Sequence, residues 1–243
     1  MKKYLIVLGA LLLAGCSPSD PDQSKAASEK AAAEPRLAKP IGPITPAVTE
    51  APSGAYKLDK AHASLDFRVN HIGFSNYTAR LTDFDADLKF DPKNPSASSV
   101  SATVNPASLS LPTPPKGFLE ELLGAAWLDT GKHNQIKFQS SKIVLSGPDT
   151  ATITGDLTLH GVTLPVTLEA KFNGGWAGHQ FEPKARIGFS AKGSFNRSAF
   201  GIANGIPAPG KTMGVSDNVD VIIEAEFSGP PLEAAAAQPQ KSQ

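Results

Sequence analysis

One cysteine, Cys16, stands among 243 residues. No intrachain disulfide can form, so the folded part must depend on an apolar core. Charge of neither sign is in excess: Lys plus Arg and Asp plus Glu both number 23. That balance argues against nucleic acid and against any strongly electrostatic partner, and a partner must be sought by shape instead. Catalytic signatures are missing as well. No nucleophile elbow, no glycine-rich phosphate loop and no metal-binding pair at short spacing occurs. His62 and His71 are nine apart, which puts them on opposite faces of an unbroken strand and argues against a shared metal. The sequence therefore reads as a non-enzyme, with no catalytic residue and no metal expected.

Long apolar runs are absent too, except at the start. "YLIVLGALLLAG" follows Lys2 and Lys3, is too short for a comfortable membrane span and stops at Cys16, which is the pattern of an export signal over residues 1–15. Leu13, Ala14, Gly15 and Cys16 resemble the bacterial lipobox. The resemblance implies cleavage before Cys16 and acylation of its thiol, with two or more acyl chains anchoring the chain stably to a membrane. Ser17 after the cysteine resembles the signal for outer-membrane sorting. The implied location is the cell envelope, lipid-anchored in the outer membrane and facing the periplasm.

Residues 16–54 are rich in Ala, Pro, Ser, Glu and Lys and nearly devoid of aromatics. Such a segment cannot bury enough to offset its ordering and is expected to be a disordered tether. Residues 229–243 are expected to be a disordered tail, leaving one domain at 55–228, long enough to bury a core.

Within that domain a period of two recurs. Leu65, Phe67 and Val69 share one strand face; Phe84, Ala86, Leu88 and Phe90 share another, opposite Asp83, Asp85, Asp87 and Lys89. The pattern returns around Val100, Ile136, Ile153, Val166, Ala185 and Val219, giving eight strands. Short links with turn formers, such as "SGPD" at 146–149 and "HGVT" at 160–163, make neighbours antiparallel. His160 reads as a turn residue. An open sheet would leave two edges and one apolar face uncovered, so the expected fold is all-β: an eight-stranded antiparallel, lipocalin-like β-barrel, with a two-sheet sandwich as the alternative. "KGFLEELLGAAWLD" at 116–129 breaks the period with helical spacing and predicts a short helix covering one end, as a lid or as an ordinary seal, with Trp127 as its buried anchor.

No charged residue interrupts the inward faces, so a lumen of this kind suits hydrocarbon rather than a sugar or nucleotide. The expected lining is Phe67, Phe84, Ala86, Leu88, Ala102, Phe138, Leu157, Leu168, Ala170, Ile187, Phe189, Ala191, Val221 and Ile223. Small residues alternate there with Phe and Leu. They either leave a channel or accommodate the barrel's taper.

The blocks "HASLDFRVNHIGFSNYTARLTDFDADLKFDP" (62–92), "IKFQSSKIVL" (136–145), "ITGDLTLHGVTLPVTLEAKF" (153–172) and "FNRSAFGI" (195–202), followed by "VSDNVDVIIEAEF", resemble the polyisoprenoid-binding YceI-like family. The resemblance covers essentially the whole domain. It implies a barrel holding a long isoprenoid lipid, such as a polyprenyl phosphate or a quinone-type lipid, as ligand rather than as catalytic cofactor. Two departures are Ala63, where the family usually has Ser, and the segment "PTPPKGFLEELLGAAWLDTGKHNQ"; both are expected at the barrel's mouth. Candidates for a lipid head group are His71, Lys132, His133 and Arg197. His71 serves equally as a strand cap, and Arg197 reads first as a structural pair with an Asp or Glu. The expected partners are the isoprenoid lipid and the membrane, with a homodimer left open. The alternative reading is a structural or interaction lipoprotein with a packed barrel.

Overall fold

The computed structural model describes residues 44–232. The expected export signal, Cys16, the expected tether up to residue 43 and the expected tail from 233 lie outside the described residues. Among the described residues ten strands and one α-helix follow in chain order: β1 Gly54–His71, β2 Ser75–Leu81, β3 Phe84–Phe90, β4 Ser99–Val104, β5 Leu109–Ser110, α1 Phe118–Leu123, β6 Ile136–Leu145, β7 Thr150–Leu159, β8 Val162–Trp176, β9 Lys184–Asn196 and β10 Val215–Pro231. The sheet runs β10-β9-β8-β7-β6-β4-β3-β1, and β1 pairs again with β10 from Ala63 opposite Ala225 to Val69 opposite Val219, which closes it. This is a closed eight-stranded antiparallel barrel and not a sandwich.

β2 and β5 extend the circuit rather than add to it. β1 meets β3 through Tyr56 and Leu88, then β2 through Asp66 and Arg80, so β2 and β3 form one bent run. β4 and β5 form the next, because β4 pairs with β3 and β5 with β2. The two breaks are stitched together: the Ser108 hydroxyl accepts from the Thr82 and Asp83 N–H groups at 3.1 and 3.0 Å. Backbone groups freed where pairing lapses thus keep partners.

Two hairpins turn on paired left-handed residues. Ile72 and Gly73, at φ 58° and 79°, link β1 to β2; His160 and Gly161, at φ 51° and 78°, link β7 to β8. Positive φ at both central residues matches the twist of the flanking strands, and His160 is the turn residue expected.

One end of the barrel is closed by its own side chains. Tyr56, Ala185, Ile187 and Phe227 are buried there beside Phe90, Phe172 and Phe189. Phe90 meets Tyr56 edge-on at 5.8 Å and stacks on Phe172 at 5.9 Å, favourable arrangements for aromatic quadrupoles. Burial pushes the Tyr56 phenol up to about 12, and its hydroxyl donates to the Pro52 carbonyl at 2.7 Å. Ala63 packs against this cluster, so it does not belong to the mouth where the sequence placed it.

The residues from 46 to 53, expected as tether, also pack here. Ala51 is 2% exposed, the Ala47 N–H donates to the Pro148 carbonyl at 2.7 Å, and the Thr49 hydroxyl donates to the Gly175 carbonyl at 3.2 Å. Prolines lower the entropy such a strap loses, which lets a few contacts hold it. The strap and the continuation of β10 to Pro231 extend the folded unit slightly beyond 55–228.

A bulge in β1 between Leu58 and Ala63 turns Asp59 toward β9. There it accepts from Arg186 and, at 3.0 Å, pairs with His62. Arg186 first and His62 second hold the Asp59 carboxyl down at about 2 against an ordinary 3.8. A carboxylate with a depressed folded pKa stabilises above its unfolded value and stops doing so as pH falls toward the folded one. Urea midpoints for the natural chain should therefore fall more steeply between about pH 4 and pH 2 than those of Asp59→Asn. Parallel profiles would contradict the pairing.

Candidate functional site: an apolar cavity through the barrel

Between the closed end and α1 the barrel is hollow. The cavity measures about 910 Å³, at the upper end of the roughly 300–1,000 Å³ typical of small-molecule sites. On β1 its lining runs from Leu58 to His71. At about 3.3 Å per residue and a strand tilt of about 35–45°, that stretch corresponds to roughly 30 Å along the axis. The space is long rather than round.

Local sequence explains why space remains. Ala86 faces Ala102 across β3 and β4, and Ala170 faces Ala191 across β8 and β9, so two pairs of neighbouring strands meet through methyl groups. The larger residues lie flat where a neighbour is small: the Phe138 ring covers Gly155 and leaves no room for a Cβ there. Aromatic cover of a strand glycine keeps the ladder shielded.

All the lumen residues expected from the sequence line the cavity except Ile187. Ile187 shares the inward face of β9 but sits in the closed end, 2% exposed, with Gly175 and Ala51 against it. Alternation gives the face and not the height along the barrel. Ile187→Ala should cost about 2–5 kcal/mol in a denaturant melt and leave ligand capture by the surviving folded protein unchanged. Altered affinity at full folding would return Ile187 to the site.

The far end is the mouth. Phe118 and Leu122 of α1, with Trp127 and Leu128 after it, line the cavity and cover it. α1 is shorter than the 116–129 span expected. Gly124 adopts an extended conformation, and its N–H closes the helix on the Glu121 carbonyl. The apolar spacing then continues through turns, with the Leu128 N–H donating to the Leu122 carbonyl at 3.1 Å. At the closed end Pro46, Ala47 and Thr49 of the strap also line the cavity, residues that reading the segment as tether missed. Ala51, Pro52 and the short apolar "PITPAV" were the available signal.

The four head-group candidates separate. His71 lines the cavity at the mouth, is exposed, and ends β1 at the turn where the Phe74 N–H donates to its carbonyl at 3.0 Å. Arg197 also lines it, 5% exposed, but its cation is committed to backbone. Nε donates to Ser216, Nη1 to Ile202 and Asn204, and Nη2 to Val215, all carbonyls at 2.7–2.9 Å. The guanidinium also lies 5.3 Å from the Trp127 ring centroid. Burial lowers its pKa, yet an arginine starts too high to lose its charge. Arg197 is structural as expected, but its partners are carbonyls instead of an Asp or Glu. It ties the 202–204 loop to the start of β10. Lys132 and His133 do not reach the cavity: Lys132 points to solvent and pairs with Asp129 at 3.1 Å, and the His133 ring packs on that of His160, 4.6 Å away. Neither is placed to meet a head group in the cavity.

A closed antiparallel barrel around a long apolar cavity, capped by a short helix, is the architecture of a ligand-enclosing barrel protein. Comparison with known proteins gives the family: residues 56–227 match the model described as the YceI-like domain, and the chain belongs to that family. It is 39% identical over 178 residues to the protein YceI of Escherichia coli, covering 70% of this chain and 85% of that protein. It is 36% identical over 181 residues to a UPF0312 protein of Pseudomonas putida, covering 72% and 88%. Among solved structures, a Campylobacter jejuni YCEI protein superposes with a TM-score of 0.56 at 28% identity, covering 71% of this chain and 96% of that one. The Burkholderia cenocepacia protein BcnA shares the fold, with a TM-score of 0.59 at 24% identity over 70% and 98%.

Proposed function

We propose that the barrel holds one long apolar lipid, a polyisoprenoid or an isoprenoid quinone, and carries, stores or sequesters it in the cell envelope. The observation that carries this reading is the cavity of about 910 Å³, long and walled by aliphatic and aromatic side chains. A packed barrel acting only through its outer surface would have no use for that space. The isoprenoid class comes from the sequence blocks that resemble a polyisoprenoid-binding family. The long, narrow cavity supports it, since an extended chain fills such a space better than a compact ligand does. His71 at the mouth is the remaining candidate for a phosphate or quinone carbonyl. Acylation at Cys16 would anchor the chain in the outer membrane on the periplasmic side and keep the barrel near its lipid source.

Apolar burial stabilises such a complex by about 25 cal/mol per Å², a quantity that salt does not screen. Titration of the delipidated chain with a polyprenyl phosphate at low and high salt should give the same affinity within about twofold. Affinity that collapses at high salt would place the recognition in a charged head group and overturn the reading.

A further inference from the structure

Where the loop after α1 meets the β7–β8 turn, three side chains converge that do not line the cavity. Asp129 and His133 come from the loop after α1, His160 from the β7–β8 turn. One ligand atom from each lies within 4.8 Å of the other two. We infer that Asp129, His133 and His160 form a binding site for one divalent transition-metal ion of the zinc class, which clamps the loop carrying α1 to the barrel wall.

The state of His160 carries the argument. Its Nδ1 lies 3.1 Å from the Phe200 carbonyl oxygen. A carbonyl only accepts, so the proton sits on Nδ1 and the lone pair on Nε2. That Nε2 is buried, and no protein group among the described residues hydrogen-bonds to it. A buried acceptor left bare costs free energy, and native structures rarely leave one so. A carbonyl behind the distal nitrogen is also the usual support of a metal-bound imidazole, since it sets the tautomer and the ring's direction.

The surroundings fit the same ligand. Gly161 lets the His133 ring approach: a Cβ there would lie 2.7 Å from His133 Cε1. Asp129 and His160 both hold left-handed backbone, at φ 43° and 51°. Asp129 keeps its side chain 15% exposed and brings the negative charge a cation needs. Lys132 neutralises it at 3.1 Å but is 76% exposed, so an arriving ion displaces it into water at little cost. Two imidazoles and one carboxylate make the donor set of a tetrahedral zinc with one position open, where ligand atoms sit about 3.4 Å apart around bonds of about 2.0–2.1 Å. A modest contraction of the loop reaches that spacing.

The second acidic-histidine cluster, Asp59, His62 and Glu226, serves as the control. Asp59 there is already engaged by Arg186.

The test uses the full chain, purified without a histidine tag, stripped with chelator and dialysed against zinc, with bound metal measured by elemental analysis and cobalt substituted for its visible spectrum. One ion per chain and the intense bands of four-coordinate cobalt are expected. His133→Ala and Asp129→Asn, each checked for native circular dichroism, should weaken binding by at least about tenfold, while His62→Ala leaves it unchanged. His133 is the safer variant, because it lies outside the buried turn. No binding above buffer, or binding that survives both substitutions in folded protein, overturns the assignment. So does loss only in His62→Ala.

Discussion

Ala191→Phe should empty the barrel. Ala191 lies on β9 between Ala170 of β8 and Ile223 of β10, and all three line the cavity. A benzyl group there projects into the hollow, so the overpacking cost stays near the low end of about 1–3 kcal/mol and the fold survives. A lipid chain cannot share that cross-section. Losing about 100 Å² of apolar contact at about 25 cal/mol per Å² removes about 2.5 kcal/mol, roughly 70-fold in affinity, and complete exclusion removes more. Ala170→Phe should do the same from the neighbouring strand. The check is lipid titration beside a thermal melt. A folded Ala191→Phe that loads like the natural chain would mean that the ligand lies elsewhere.

Arg197→Ala should unfold the mouth rather than merely weaken a head-group contact. Four carbonyls, from Ser216, Ile202, Asn204 and Val215, converge on this one buried cation. Truncation strips a charged donor from each, beside the cluster of Leu159, Phe200 and Ile202. Each buried acceptor left bare costs about 1–3 kcal/mol, and since some reach water the expected total is about 3–5 kcal/mol in a denaturant melt. Arg197→Lys should recover little, because an ammonium cannot fork toward acceptors on both the loop and the strand. A loss under about 1 kcal/mol would contradict the staple.

The barrel was legible because its signal is local. Alternation in "DFDADLKFD" and its counterparts reports which face turns inward, and eight such stretches with short turns leave closure as the economical way to cover the edges. The same signal says nothing about depth, which is why Ile187 read like Phe189 and yet belongs to the closed end. Nor does it report partners supplied by backbone. Arg197 could be recognised as structural, but a carbonyl acceptor has no residue type, so its four partners were invisible until folded.

The helix was over-read for a related reason. Apolar residues at helical spacing continue through Trp127, while Gly124 ends the hydrogen bonding that would make them a helix. The strap at 46–53 was lost to composition, since a proline-rich stretch resembles a tether whether or not a surface waits for it. In the Asp129, His133 and His160 cluster the first two are four residues apart, but His160 comes from a turn 27 positions further on, and no local pattern joins it to them.

Whether the hollow is a container is read out by mass spectrometry of organic extracts from the chain, produced with its full N-terminal segment in a bacterial host and purified without detergent exchange. One polyprenyl or quinone lipid per barrel is expected in the natural chain and none in Ala191→Phe. A folded natural chain that yields no such lipid, and that also fails to take up added isoprenoids, would contradict that expectation.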